Sequence, residues 1–176
     1  MSKINEFARD LVKRQIQIYK ENKSEKFDMT QPLSVLICCS IIIFSDYLEK
    51  NGKDTLIGEI KNKDKEKRQI KEFIKTVYSD KLEKRIKVYS GNRRNDKKND
   101  FIKKELAEYE VFFHDLRNEF AHMIETNTSR LEPNTDGDFN QIIIKYGTEE
   151  ININKEQIIA IIGYIDECLN DSIAKL

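Results

Sequence analysis

The stretch TQPLSVLICCSIIIFSDYLEKNG, residues 30–52, constrains this chain more than any other. From Leu33 to Leu48 it is apolar on almost every side of a helix, and a strand of that length is far beyond the usual five or six residues. The spacing predicts a helix, with Thr30 at its cap, Pro32 near its first turn, and Asn51 and Gly52 at its stop. A helix with no wet face belongs at the centre of a bundle or in a dimer interface. Its apolar run, LSVLICCSIIIF, is about 12 residues, well short of the roughly 20 that span a bilayer. The start, MSKINEFARDLVKRQ, has no apolar signal core. The expectation is a soluble cytoplasmic protein with no membrane partner.

Amphipathic segments surround this centre. Ile4, Phe7, Ala8, Leu11, Ile18 and Tyr19 predict a first helix with one buried face. EKRQIKEFIKTVY and DKLEKRIKVY predict one long helix or two short ones, with a break at Ser79 and Asp80. SGNRRNDKKND, residues 90–100, is polar and basic and reads as an exposed mobile loop. From Asp100 to about Phe120, Ile102, Leu106, Tyr109, Phe113, Leu116 and Phe120 give the cleanest helical period in the chain. TNTSRLEPNTDGD then reads as a loop, and FNQIIIKY and EEINI around a glycine turn as a β-hairpin at about 139–153. Asn154 and Gln157 form a capping-box start for a last helix that buries Ile158, Ile161, Ile162, Ile165, Cys168, Leu169 and Ile173. The predicted fold is mainly α: one domain over 1–176, an antiparallel bundle of about five helices with a small β-hairpin before the terminal helix.

Three cysteines, Cys38, Cys39 and Cys168, have neither disulfide arithmetic nor metal-ligand spacing and read as reduced packing residues. A net charge of zero hides a segregation. Basic against acidic residues number 9 to 9 over 1–60, 17 to 7 over 61–104 and 5 to 15 over 105–176. A middle of plus ten and an end of minus ten fit a polyanion-facing surface, or a contact between the two regions.

Both histidines lie in HDLRNEFAH, residues 114–122. Arg and His at this spacing arise readily by chance; an Asn directly after the Arg, late in the best-formed helix, is a far rarer coincidence. On a regular helix Asn118 and His122 share a face with His114, so the amide can orient the imidazole. Arg117 is five positions from His122, about 140° round the helix. The two converge on one ligand only through a helix irregularity or across a subunit boundary. An imidazole moves the proton of a ribose hydroxyl or of a leaving oxygen, and a guanidinium holds a phosphate and stabilises charge building on it. Cleavage of RNA by its own 2′-hydroxyl needs these functions and no cofactor or metal. The bland alternative is a helix-end histidine and a surface arginine.

At these residues the sequence resembles the HEPN superfamily, whose ribonucleases carry Arg, a polar residue and then His after four to six intervening residues. LRNEFAH matches with four. The resemblance implies a homodimer in which two motifs face each other, a composite metal-independent RNase built from Arg117, Asn118 and His122, and a role in toxin-antitoxin or phage-defence systems with an antitoxin or inhibitor partner. In one branch a tyrosine two positions past the histidine is modified by the antitoxin; here that position is Ile124. Some members are catalytically silent and bind RNA or protein partners, which is the competing reading. His114, which precedes the motif, is expected in a structural or supporting role rather than a catalytic one; Asp115 and Glu119 are expected to solvate the helix surface, or else to orient the arginine. Arg93, Arg94, Lys97 and Lys98 are the expected RNA contacts, with Tyr89 or Phe101 as stacking partners.

Overall fold

The computed structural model describes residues 3–22, 30–50, 54–94, 106–126, 131–133, 139–146 and 149–170. Seven α-helices are found among them: α1 (Lys3–Glu21), α2 (Thr30–Lys50), α3 (Leu56–Lys67), α4 (Gln69–Tyr78), α5 (Leu82–Arg94), α6 (Ala107–Thr126) and α7 (Lys155–Asn170). Three strands, β1 (Leu131–Pro133), β2 (Phe139–Tyr146) and β3 (Glu149–Asn154), precede the last helix. The protein is thus mainly α with a small antiparallel sheet, as the sequence predicts, but with seven helices in place of about five.

The apolar helix α2 sits at the centre, against α1, α3, α6 and α7. Leu33, Leu36, Cys39, Ile43, Phe44 and Tyr47 are buried along it. Against the expectation of a run too short to span a bilayer, Gln31–Glu49 is long and apolar enough to cross a membrane by length and composition, a test that a mostly buried core helix also passes. Burial pushes the Cys39 thiol up to about 12, with Cys38 beside it adding to the shift, so Cys39 behaves as an inert packing residue.

The faces of α1 and α6 differ from those expected. In α1 the buried ridge is Ala8, Val12 and Ile16, while Phe7 and Ile18 are 70% and 54% exposed. A four-residue ridge packs there against α2 and α7, and Phe7 and Ile18 lie off that ridge. In α6, Val111 and Phe112 are buried as well as Tyr109, Phe113 and Leu116. Its first half is therefore enclosed on most sides; Ile102 and the Phe120 side chain lie outside the described residues.

Helix α3 was not visible as a helix in the sequence. Its first turn is capped by the Thr55 hydroxyl, which accepts from Gly58 N at 3.2 Å, and by Asp46 of α2, which accepts from Leu56 N at 2.7 Å. The chain then turns at Arg68, in a left-handed conformation with φ 54°. The buried Asp64 carboxylate binds the corner by accepting from Ile70 N, Lys71 N and the Tyr109 hydroxyl at 3.0, 2.9 and 2.8 Å. The break expected at Ser79 and Asp80 is present as a 3₁₀ turn over Ser79–Lys81, with Ser79 at φ 51°. Past it α5 runs on through Arg94, so 90–94 are helical rather than loop. Gly91 and Asn92 are weak helix formers and the two arginines good ones, and lack of an apolar anchor does not end a helix already packed at its start through Leu82, Arg85 and Tyr89.

The hairpin acquires a third strand. β2 pairs with β3 in the register Ile142 to Ile153 and Ile144 to Ile151, which places four buried isoleucines on one face. β1 pairs with β2 on its other edge. Three residues ending in proline give no readable period, so the loop expectation for TNTSRLEPNTDGD missed it. The capping box is reciprocal: Gln157 N donates to Asn154 Oδ1 and Asn154 N to Gln157 Oε1, both at 2.9 Å.

Candidate functional site

The second half of α6 carries the candidate site. Glu110, His114, Asn118 and His122 follow at four-residue steps and form one stripe of the helix. The apolar ridge of α6 faces the core, and the stripe lies between α2 and α5. The His114 ring is held edge-on by Phe44 of α2 at 5.3 Å and Tyr89 of α5 at 4.6 Å between centroids. Tyr89 is itself buried, and its hydroxyl donates to Glu110 Oε1 at 2.8 Å. The stacking role suggested for Tyr89 is therefore overturned: the ring belongs to the core, and Phe101 lies outside the described residues.

Asp115 does not solvate the helix surface. It is 2% exposed and accepts from Arg85 Nε at 2.9 Å and, through its second oxygen, from Arg85 Nη2. The Tyr78 hydroxyl donates to it at 2.9 Å, and His114 Nδ1 lies 3.0 Å from Oδ1. Burial alone would raise this carboxyl, but hydrogen bonds from His114 and Arg85 and the Arg85 charge outweigh it and hold Asp115 below the ordinary carboxylate value.

Outward from this anchor the chain of contacts continues. His114 Nε2 is 2.8 Å from Asn118 Nδ2, and Asn118 Oδ1 accepts from Arg117 Nη1 at 2.9 Å. Arg117 is exposed and Asn118 half-buried. A guanidinium at the surface is thereby tied, through an amide and an imidazole, to an ion pair inside the protein. A planar five-donor fork held at one edge keeps its other edge for an anion.

Of the residues singled out in the sequence, the structure brings together His114, Asp115, Arg117 and Asn118. His122 lies one turn beyond Asn118 on the same stripe of backbone; its side chain and that of Glu119 lie outside the described residues. The helix is continuous from Ala107 to Thr126, so no irregularity swings Arg117 toward His122, and the two positions stay about 140° apart on one chain. Arg93 and Arg94 close α5, while Lys97 and Lys98 lie outside the described residues. The pairs Arg85 with Asp115 and Tyr89 with Glu110 make α5 antiparallel to α6. At 1.5 Å per residue Arg94 therefore stands roughly 16 Å along the axis from Arg117, while Lys84 in the first turn of α5 and Lys81 in the 3₁₀ turn before it stand near the level of the motif.

Arg85 and Tyr78 lie outside the sequence motif. A signal for Arg85 was present: it falls with Ile86 between Leu82 and Tyr89, on the apolar side of α5. Asp115 likewise interrupts the apolar run Phe112, Phe113 and Leu116. Two opposite charges inside two apolar stripes are candidates for a buried pair. Compared with known proteins, the chain matches no family model, no curated protein and no solved structure.

Proposed function

We propose that this protein is a metal-independent endoribonuclease that acts as a homodimer. The observation that supports it most is the exposed Arg117 guanidinium bonded to Asn118 in the same turn-and-a-half of α6 that carries His122. His122 accepts the proton of the 2′-hydroxyl, whose oxygen attacks the adjacent phosphorus. The bond from phosphorus to the 5′-oxygen breaks, and that oxygen takes a proton from an imidazolium. The products are a 2′,3′-cyclic phosphate and a 5′-hydroxyl. Arg117 holds the phosphate and offsets the charge that grows on its oxygens, where prearranged donors are most effective.

Because Arg117 and His122 diverge on one helix, the working site takes one from each of two copies. An exposed stripe of α2 favours such pairing: Ile41 and Leu48 are 42% and 44% exposed, in line with the exposed Ser45. The adjacent Phe44 touches His114, so a second copy seated there borders the site. Arg93 and Arg94, at the far end of α5, then contact phosphates several nucleotides from the scissile one, and Lys97 and Lys98 complete the proposed set of RNA contacts. Such a nuclease suits a toxin-antitoxin or phage-defence effector restrained by an inhibitor protein.

The test is end-group chemistry. Mixed RNA incubated with purified protein in EDTA is expected to yield 2′,3′-cyclic phosphate and 5′-hydroxyl ends, with a 2′-deoxy substrate uncut. Salt-sensitive RNA binding with no product would favour a silent binding module instead.

A further inference from the structure

We infer that His114 is a positioning residue that aims Arg117 through Asn118, its tautomer imposed by the buried Asp115 and Arg85 pair. The inference rests on the ribonuclease reading only for what Arg117 does once aimed. Proton bookkeeping carries it. Asp115 is held ionised by Arg85, so its oxygens only accept, and His114 Nδ1, 3.0 Å away, must carry a hydrogen. In a neutral ring Nε2 is then a bare acceptor, which suits the Asn118 amide nitrogen at 2.8 Å. That leaves the Asn118 carbonyl oxygen pointing at Arg117 Nη1, which donates to it at 2.9 Å. Each donor meets one acceptor along the series.

The reversed arrangement fails at two contacts. Turning the Asn118 amide over puts its oxygen against the Nε2 lone pair and its NH₂ group against the guanidinium. Only an imidazolium relieves the first, and it does so by taking the carbonyl from Arg117. Asp115 already accepts from two nitrogens of Arg85, so it needs from His114 only the Nδ1–H donor, which the neutral ring supplies. The edge-on rings of Phe44 and Tyr89 fix the plane of the imidazole, and with it the direction in which Nε2 accepts. The series also explains why asparagine stands at 118: the residue there must donate to one neighbour and accept from the other, which a carboxylate or an apolar side chain does not do. Without the tether, Arg117 is a long exposed side chain free to sample its rotamers.

Two measurements test this on the full chain. Nitrogen-15 NMR of the wild-type protein is expected to give His114 as the neutral Nδ1–H tautomer, and His114→Phe to shift the Asn118 side-chain amide and the Arg117 guanidinium signals. In cleavage assays His114→Phe, which keeps a ring between Phe44 and Tyr89, should lower kcat about tenfold or more, with KM little changed. His114→Gln, which restores an acceptor toward Asn118, should recover most of the loss. Introduced into Arg117→Ala, His114→Phe should cost nothing further. An Nε2–H tautomer at His114 overturns the inference whether or not the protein cuts RNA, and so does an undiminished His114→Phe penalty in the Arg117→Ala background. A protein that cuts no RNA yet has the Nδ1–H tautomer and the shifted Asn118 and Arg117 signals supports the aiming of Arg117 while sinking the ribonuclease reading.

Discussion

Asp115→Ala is expected to lower the unfolding free energy by about 3–5 kcal/mol, a large share of the roughly 5–15 kcal/mol that a folded domain has. The loss comes from what stays behind. Arg85 keeps its charge in a nearly buried position without the carboxylate that two of its nitrogens address. The Tyr78 hydroxyl and His114 Nδ1 lose the same acceptor. Asp115→Asn keeps the shape but not the charge, and should cost less. The lowered Asp115 pKa fixes the sign of the acid response. A carboxyl whose folded value lies below its unfolded value contributes stability above the unfolded value, about 3.9, and loses it as pH falls through the folded one. Wild-type protein should therefore lose stability on acidification below about pH 4, and Asp115→Asn should lack that part of the loss. Urea unfolding at neutral and acid pH measures both; a change under about 1 kcal/mol for the alanine variant would show that the pair is not the anchor described.

The second large effect is on chemistry alone. On the ribonuclease proposal His122→Ala removes the proton carrier and should slow cleavage by about 10²–10⁴-fold. On the same proposal Arg117→Ala removes the charge opposite the phosphate and should cost about 10²–10³-fold. Arg117 is exposed, so its loss should change stability by no more than about 0.5 kcal/mol, which separates it from the Asp115 variant. Arg117→Lys keeps the charge but not the planar fork that bonds Asn118 and a phosphate together, and should fall between wild type and alanine. Single-turnover cleavage of a fixed RNA, paired with thermal melts, gives both readings. Wild-type rates in His122→Ala would remove the histidine from the mechanism.

What the sequence disclosed tracks how local the cause is. The central position of α2, the buried isoleucines of α7 and the box of Asn154 and Gln157 were all legible, because each depends on spacing within a few residues. In α1 the period was visible but its rotation was not: Phe7 and Ile18 extend the apolar pattern, yet a neighbouring ridge won the contacts. Helix α3 escaped because LIGEIKNKDKEK carries its large apolar residues in its first turns, and Asp64 is buried by bonds to the next helix rather than by its own pattern. The site divides the same way. RNEFAH is a contiguous signal, whereas Arg85 and Tyr78 reach Asp115 across 30 and 37 residues, a distance over which periodicity carries no information. Composition alone marks the basic stretch, and composition specifies neither its helical start nor its orientation antiparallel to α6.

The central claim, that Arg117 of one copy works with His122 of another, is tested most directly by complementation. Arg117→Ala and His122→Ala chains, differently tagged, are co-expressed and the mixed dimers isolated. A composite site predicts that each variant alone is nearly inactive while the mixed dimer regains a substantial fraction of wild-type cleavage, because one intact Arg117 faces one intact His122. A mixed dimer no more active than either parent would contradict it.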